Sequence, residues 1–309
     1  MTRGLKAGAA HDSPAALLDV AVAVAQGAPP PPPEITTAAR DAAALLVHLP
    51  PDKLRAAVET VILGRELGAG LQWMHEAGVL GVVLPELEAT VDFSQEAGRR
   101  HKDVWEHTKQ VVVQSTPNPV VRWAALLHDI GKVPTRVMLP DGRVTFHRHA
   151  EVGARMWDPI ARRLGFDKTE RRDIRFLVLN HLRANAYEPG WTDSAVRRFD
   201  KEMAEHLDPL LELSCADVTS RRPGRRQEAV ANIQALKDRI LAIRDLDARV
   251  PPLPPGLGNT IMETFNLPPS KRIGDLRKLC EEAVERGELE ERRDAAYYIE
   301  FLRDKIAPR

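Results

Sequence analysis

Ala124-Ala125-Leu126-Leu127-His128-Asp129-Ile130-Gly131-Lys132 is an apolar helical stretch that abruptly offers an imidazole and a carboxylate side by side and is then cut by glycine. A charged Asp at the end of a buried face is costly unless paired or bound to a cation, because desolvation disfavours the ionised form. A divalent metal removes that penalty. Working outward, His107 lies one helix earlier in Trp105-Glu106-His107-Thr108. Asp217 closes Leu213-Ser214-Cys215-Ala216-Asp217, and Leu210 and Ser214 place its carboxylate on the inward face of a helix. His107, His128, Asp129 and Asp217 thus make a nearly neutral mixed nitrogen and oxygen shell with room for water, the kind of site that activates water at neutral pH.

The rest of the chain reads as helices. Apolar residues recur at helical spacing at Leu54, Val58, Val61 and Ile62, then at Leu67, Leu71, Met74 and Val79, until Leu84-Pro85-Glu86 stops the pattern. Arg143 to Phe146, after Asp141-Gly142, is the one candidate for a brief hairpin arm. Ile273, Leu276, Leu279, Cys280, Ala283 and Val284 form a last stripe. The fold class is therefore all-α. Residues 1–34, rich in Ala and ending in the run Pro29 to Pro33, are expected to be a flexible tail with one short helix. A helical region over 35–95, a central domain over 96–250 and a helical tail over 256–309 follow, with Pro251 to Gly256 as linker.

With 44 basic and 44 acidic side chains, no global field argues for wholesale nucleic-acid or membrane binding. Two cysteines, Cys215 and Cys280, are too few for a disulfide framework and fit a reducing cytoplasm. No apolar run approaches the ~18 residues that span a bilayer. Ala15 to Ala28 is interrupted by Asp19 and is not read as a secretion signal.

Lys132 is placed to donate to a phosphate oxygen or assist a leaving group, although a solvated helix-end lysine has the same signature. Arg221, Arg222, Arg225 and Arg226 lie just beyond Asp217, where they can hold phosphates.

A His, a His-Asp doublet in an LLHDIGK context and a distal Asp after Ala resemble the HD superfamily of metal-dependent phosphohydrolases. That resemblance implies a helical HD-domain bundle, with His107, His128, Asp129 and Asp217 as metal ligands and Asp129 and Lys132 in catalysis. His149 and His181 are similar to positions that in several HD families bind a second metal or the substrate phosphate; hydrogen-bonded helix-end histidines are the plainer alternative. One or two ions per chain are implied, with Mg, Mn, Ni, Co, Fe and Zn not distinguished.

A further likeness covers residues 40 to 295. Leu71-Gln72-Trp73-Met74-His75-Glu76-Ala77-Gly78-Val79-Leu80, Val196-Arg197-Arg198-Phe199 and Leu267-Pro268-Pro269-Ser270-Lys271-Arg272-Ile273-Gly274-Asp275-Leu276 resemble the neck, HD and tail regions of bacterial CCA-adding tRNA nucleotidyltransferases. The nucleotidyltransferase head of that family, with its Gly-Ser loop and Asp-x-Asp pair, has no counterpart: Gly-Ser is absent and Asp245-Leu246-Asp247 is misplaced. Nucleotide addition by this chain alone is not expected. The resemblance implies hydrolysis of nucleotide or RNA-terminal phosphoesters, including 2′,3′-cyclic phosphates, through metal-activated water. Its alternative is a non-catalytic tRNA-binding or RNA-binding module that acts with a separately encoded head.

Overall fold

The computed structural model describes residues 14–93, 103–220, 222–249 and 251–306. In chain order the elements are α1 (Ala15–Ala25), α2 (Pro33–Ala42), α3 (Pro51–Ile62), α4 (Leu67–Glu76), α5 (Val79–Val83), α6 (Pro85–Glu88), α7 (Val104–Gln114), α8 (Pro119–Leu127) and α9 (Lys132–Thr135). Then come β1 (Val137–Met138), β2 (Val144–Thr145), α10 (His149–Arg163), α11 (Lys168–Asn180), α12 (Asp193–Met203), α13 (Leu207–Asp217), α14 (Arg225–Arg249), α15 (Leu257–Phe265), α16 (Lys271–Glu285) and α17 (Ala295–Ile306). The two strands pair antiparallel as the expected hairpin arm, and apart from it the described residues are all-α.

Local chemistry sets the helix ends. Asn118 caps α8 by accepting from Val120 N at 2.9 Å, with Pro119 preorganised at the first helical position. Asp167 and Glu170 form a reciprocal capping box on α11. Pro85, expected to end a helical pattern, both follows α5 and starts α6, since a proline at the first helical position sacrifices no hydrogen bond.

Two compact units emerge, one running to Ala186 and resuming over Asp208–Val230, the other made of Tyr187–Leu207 and the residues from Ala231 onward. In the first, the core of α8 is buried from Val121 to Leu127. Phe166 meets Trp123 and Trp157 edge to face, its ring 5.0 and 4.8 Å from the two indoles. Arg122 is buried there and donates to the carbonyls of Ile62, Ser115 and Thr116, tying the end of α3 to the turn before α8.

The one short helix expected in the N-terminal tail is Ala15–Ala25, and it is packed rather than loose. Leu17, Leu18, Ala21, Val24 and Ala25 are buried, and Glu66 N donates to Ala25 O at 2.7 Å. Close approach explains it: a Cβ at Gly64 would lie 2.6 Å from Ala25 O, and one at Gly70 would lie 2.7 Å from Ala25 Cβ. Small residues on both sides let the backbones touch, so alanine richness here signals packing rather than mobility.

The second unit has its own core, in which Ile273, Leu276, Cys280 and Val284 of α16 meet Tyr298 and Leu302 of α17. The proline-rich stretch expected as a linker belongs to it: Leu253 is buried in that core, and Tyr298 Oη donates to Pro252 O at 3.3 Å. Arg197 is held between Asp247 and Glu291. Among the described residues no helix is long and apolar enough to cross a membrane.

Candidate metal centre

The site is assembled almost wholly from helix ends in the first unit. His128 follows the last residue of α8 with Asp129 next in line, His181 follows the last residue of α11, and Asp217 is the last residue of α13. Three helix C-termini, each with partial negative charge, therefore carry these donor side chains, which favours a cation between them. His149 opens α10, and His107 lies one turn into α7, which Asp103 caps through Trp105 N at 2.7 Å. Gly131 brings α10 to the doublet, because a Cβ there would sit 2.1 Å from His149 O and 2.6 Å from Gly153 N. Asp217 is anchored by its neighbours: Gln114 Nε2 donates to Ala216 O at 2.6 Å, and Ser214 Oγ donates to His181 O at 3.4 Å.

Two groups of donors result, joined through one carboxylate. Asp129 Oδ2 lies 3.2 Å from His128 Nε2 and 3.4 Å from His107 Nε2. Its other oxygen, Oδ1, lies 3.4 Å from His149 Nε2 and 4.0 Å from His181 Nε2. Asp217 Oδ1 approaches His107 Nε2 at 3.0 Å and His128 Nε2 at 3.5 Å. Within each group the donor atoms of His107, His128 and Asp129, or of Asp129, His149 and His181, lie within 4.8 Å of one another, so each can hold a metal ion.

The donor chemistry fits a divalent cation. His107 and His128 point Nε2 atoms at each other at 3.2 Å, and His149 and His181 do so at 3.3 Å. The Nδ1 atoms of His128, His149 and His181 are engaged by the carbonyls of Ala125, Phe146 and Val178 at 2.8, 3.0 and 2.8 Å, which leaves lone pairs on Nε2. Converging lone pairs and carboxylates repel unless a cation or a proton sits among them. In the ion-free protein a proton does so. Burial alone would lower the His128 imidazolium, but the carboxylates of Asp129 and Asp217 prevail and hold it up at about 10. Burial likewise opposes ionisation of Asp129, yet the charges of His128 and Lys132 keep it well below the usual carboxylate range, and hydrogen bonds from His107 and His128 do the same for Asp217. Burial and the neighbouring charge of His128 push His181 down to about 4, and burial also lowers His149.

All six histidine and aspartate positions expected from the sequence thus converge. Lys132 Nζ lies 2.6 Å from Asp129 Oδ2. Arg222, Arg225 and Arg226 are all exposed, and Arg226 Nε donates to Val218 O at 3.3 Å, one residue from Asp217. Arg221 lies outside the described residues. Thr219, whose Oγ1 is 3.0 Å from His107 Nδ1, was not picked out from the sequence, because nothing local links it to a residue so far back in the chain. The partner of His75 was also missed: its Nδ1 lies 2.8 Å from Glu88 Oε1.

Residues 95–243, which contain all six of these histidines and aspartates, match the HD domain family. This chain carries an HD domain. HD domains bind divalent metals, in keeping with the donor set. The similarity extends beyond the HD domain. Over 257 residues the chain is 29% identical to an A-adding tRNA nucleotidyltransferase of Deinococcus radiodurans, covering 81% of this chain and 58% of that protein. Over 261 residues it is 29% identical to a CC-adding tRNA nucleotidyltransferase of Thermus thermophilus, covering 82% and 57%. A multifunctional CCA protein of Aliivibrio salmonicida is 30% identical over 142 residues, 44% of this chain and 33% of its own length. The chain therefore spans a little over half the length of the first two relatives.

Proposed function

We propose that this HD-domain protein is a metal-dependent phosphohydrolase acting on nucleotide or RNA-terminal phosphoesters, 2′,3′-cyclic phosphates among them. One observation carries the proposal: Asp129 turns its two oxygens to two separate imidazole pairs, with His128 at 3.2 Å on one side and His149 at 3.4 Å on the other. A carboxylate so shared suits two ions, with His107, His128, Asp129 and Asp217 around one and Asp129, His149 and His181 around the other. Bound divalent ions supply Lewis-acid polarisation of a phosphoryl oxygen and a lowered pKa for coordinated water. The chain's own residues orient the substrate. Lys132, beside Asp129, donates to a phosphate oxygen of the reacting group, and Arg222, Arg225 and Arg226 hold flanking phosphates.

The test is metal analysis of the purified chain together with ring opening of 2′,3′-cyclic nucleotides and phosphate release from terminal nucleotides. The expected result is one or two divalent ions per chain and metal-dependent turnover removed by a chelator. A protein that takes up no divalent ion, or takes it up and turns over none of these phosphoesters, overturns the proposal.

A second reading has its own support. The likeness to A-adding and CC-adding tRNA nucleotidyltransferases spans regions on both sides of the metal centre. This favours a tRNA-binding module that works with a separately encoded head. It predicts tRNA binding that persists after chelation, with no phosphoester turnover.

A further inference from the structure

The hairpin arm between α9 and α10 joins the two halves of the metal centre, since Asp129 and Lys132 lie before it in the chain and His149 after it. At its end the carbonyl of Phe146 accepts from His149 Nδ1 at 3.0 Å, so the backbone beneath this ring is fixed to the site. The ring is half-buried and lies 5.7 Å from Lys132 Nζ, which in turn is 2.6 Å from Asp129 Oδ2. Next to Phe146 stands Phe93, also half-buried, with the ring centroids 6.2 Å apart and the planes tilted by 53°. The Phe93 backbone is held as well, because its carbonyl accepts from Val104 N at 3.1 Å where α7 begins. The exposed guanidinium of Arg136 lies 5.2 Å from the Phe93 ring. Starting at Asp129, Lys132, Phe146, Phe93 and Arg136 therefore form a chain of neighbours in the order cation, ring, ring, cation.

Accessible rings flanked by cations are what proteins use to hold unpaired nucleotides: a base packs its flat face on the ring, and its phosphates pair with the cations. We propose that Phe146 and Phe93 take the base of the substrate, which makes this a site for nucleoside phosphoesters rather than for phosphoesters at large; this rests on the phosphohydrolase reading above. In a nucleotide a single sugar joins the phosphate to the base. With the reacting phosphate beside Lys132, that sugar carries the base to the next neighbours in the chain, the two phenyl rings. Arg136 closes the far end, where its guanidinium plane stacks on a base as readily as on Phe93. Every base has a π-face, so the rings select for the presence of a base and not for one base among four.

The full-length chain, loaded with Mn2+, is assayed for ring opening of adenosine 2′,3′-cyclic phosphate and of 1-O-methylribose 2′,3′-cyclic phosphate, which has the same reacting group and no base. In the wild type kcat/KM should favour the adenosine compound by about 5–150-fold, the range for stacking one base on an aromatic side chain. Phe146→Leu and Phe93→Leu should each cut that preference at least about fivefold, chiefly through KM for the adenosine compound, with the Mn2+ content unchanged. Phe146→Tyr, which keeps the ring, should retain it. Equal kcat/KM for the two compounds in the wild type, or a preference that survives both leucine variants, overturns base recognition by these rings and leaves the phosphohydrolase reading standing. Turnover of neither compound overturns that reading and this inference together. Should Phe146→Leu not fold, the wild-type preference and Phe93→Leu still decide the outcome.

Discussion

Replacing Asp129 by alanine takes a carboxylate away from both imidazole pairs at once, since its Oδ2 and Oδ1 face opposite sides of the site. We expect ion content and phosphoester turnover to fall to background, while the far-UV circular dichroism stays helical, because no apolar core group is lost; retained turnover in Asp129→Ala would contradict the proposed chemistry. His128 supplies a pH signature. Its folded value of about 10 lies above the ordinary 6.5. Its pairing with the two carboxylates therefore stabilises the ion-free fold fully below pH 6.5, and that contribution is lost as pH rises through about 10. His181, held down at about 4, works in the other sense: the stability it confers is present above pH 6.5 and lost as pH falls toward 4. An entering ion must displace the His128 proton, so affinity should rise by up to about tenfold per pH unit as pH climbs toward the folded value of about 10. Calorimetric titration with Mn2+ in buffers of different ionisation enthalpy should register about one proton released per ion at that site. A pH-independent affinity would sink this expectation.

At the scale of elements, the crossing of α10 over the turn after α8 brings His149 to Asp129, and Gly131 permits it. An alanine at Gly131 would set its Cβ 2.1 Å from His149 O and 2.6 Å from Gly153 N. Backbone atoms on both sides of the contact cannot give way as a flexible side chain would. We expect Gly131→Ala to destabilise the protein by about 1–3 kcal/mol, the usual cost of overpacking. It should also loosen ion binding by His149 and His181 more than binding by His107 and His128, because the start of α10 must shift. Thermal melts and ion stoichiometry check this; an unchanged melting temperature with full occupancy would show that the turn has slack.

For the whole molecule, charge decides the class of substrate. The chain is neutral overall, with 44 basic and 44 acidic side chains, so affinity for a polyanion has to come from local clusters. Arg226 is folded back onto Val218 beside Asp217, and Arg222 and Arg225 are exposed nearby in the chain. Neutralising these three should weaken hydrolysis of an oligonucleotide and flatten its salt dependence by roughly 0.7 in log-log slope per lost single-strand phosphate contact. A nitrophenyl phosphate diester should be nearly unaffected. Equal sensitivity of both substrates would point to a small-nucleotide phosphohydrolase.

The helical class, the His and Asp residues that converge and the apolar stripe of the last helices were legible in the sequence, because each rests on local chemistry. Periodicity marks buried faces, and a His-Asp doublet closing an apolar helix is costly without a cation, which points straight at His128 and Asp129. Motif context extended this to His107, Asp217, His149 and His181. Other features depended on approach between distant segments and left no local mark. The stretch Ala15–Ala25 has the composition of a loose tail, and only its contact with Gly64 and Gly70 makes it part of a core. Leu253 and Pro252 belong to a packed unit because Tyr298 and its neighbours come to meet them. The sharing of Asp129 between two imidazole pairs and the grip of Thr219 on His107 were likewise decided by tertiary structure alone. Both depend on which oxygen or nitrogen of a side chain faces which partner, and that direction is set by helix ends converging from far apart in the chain.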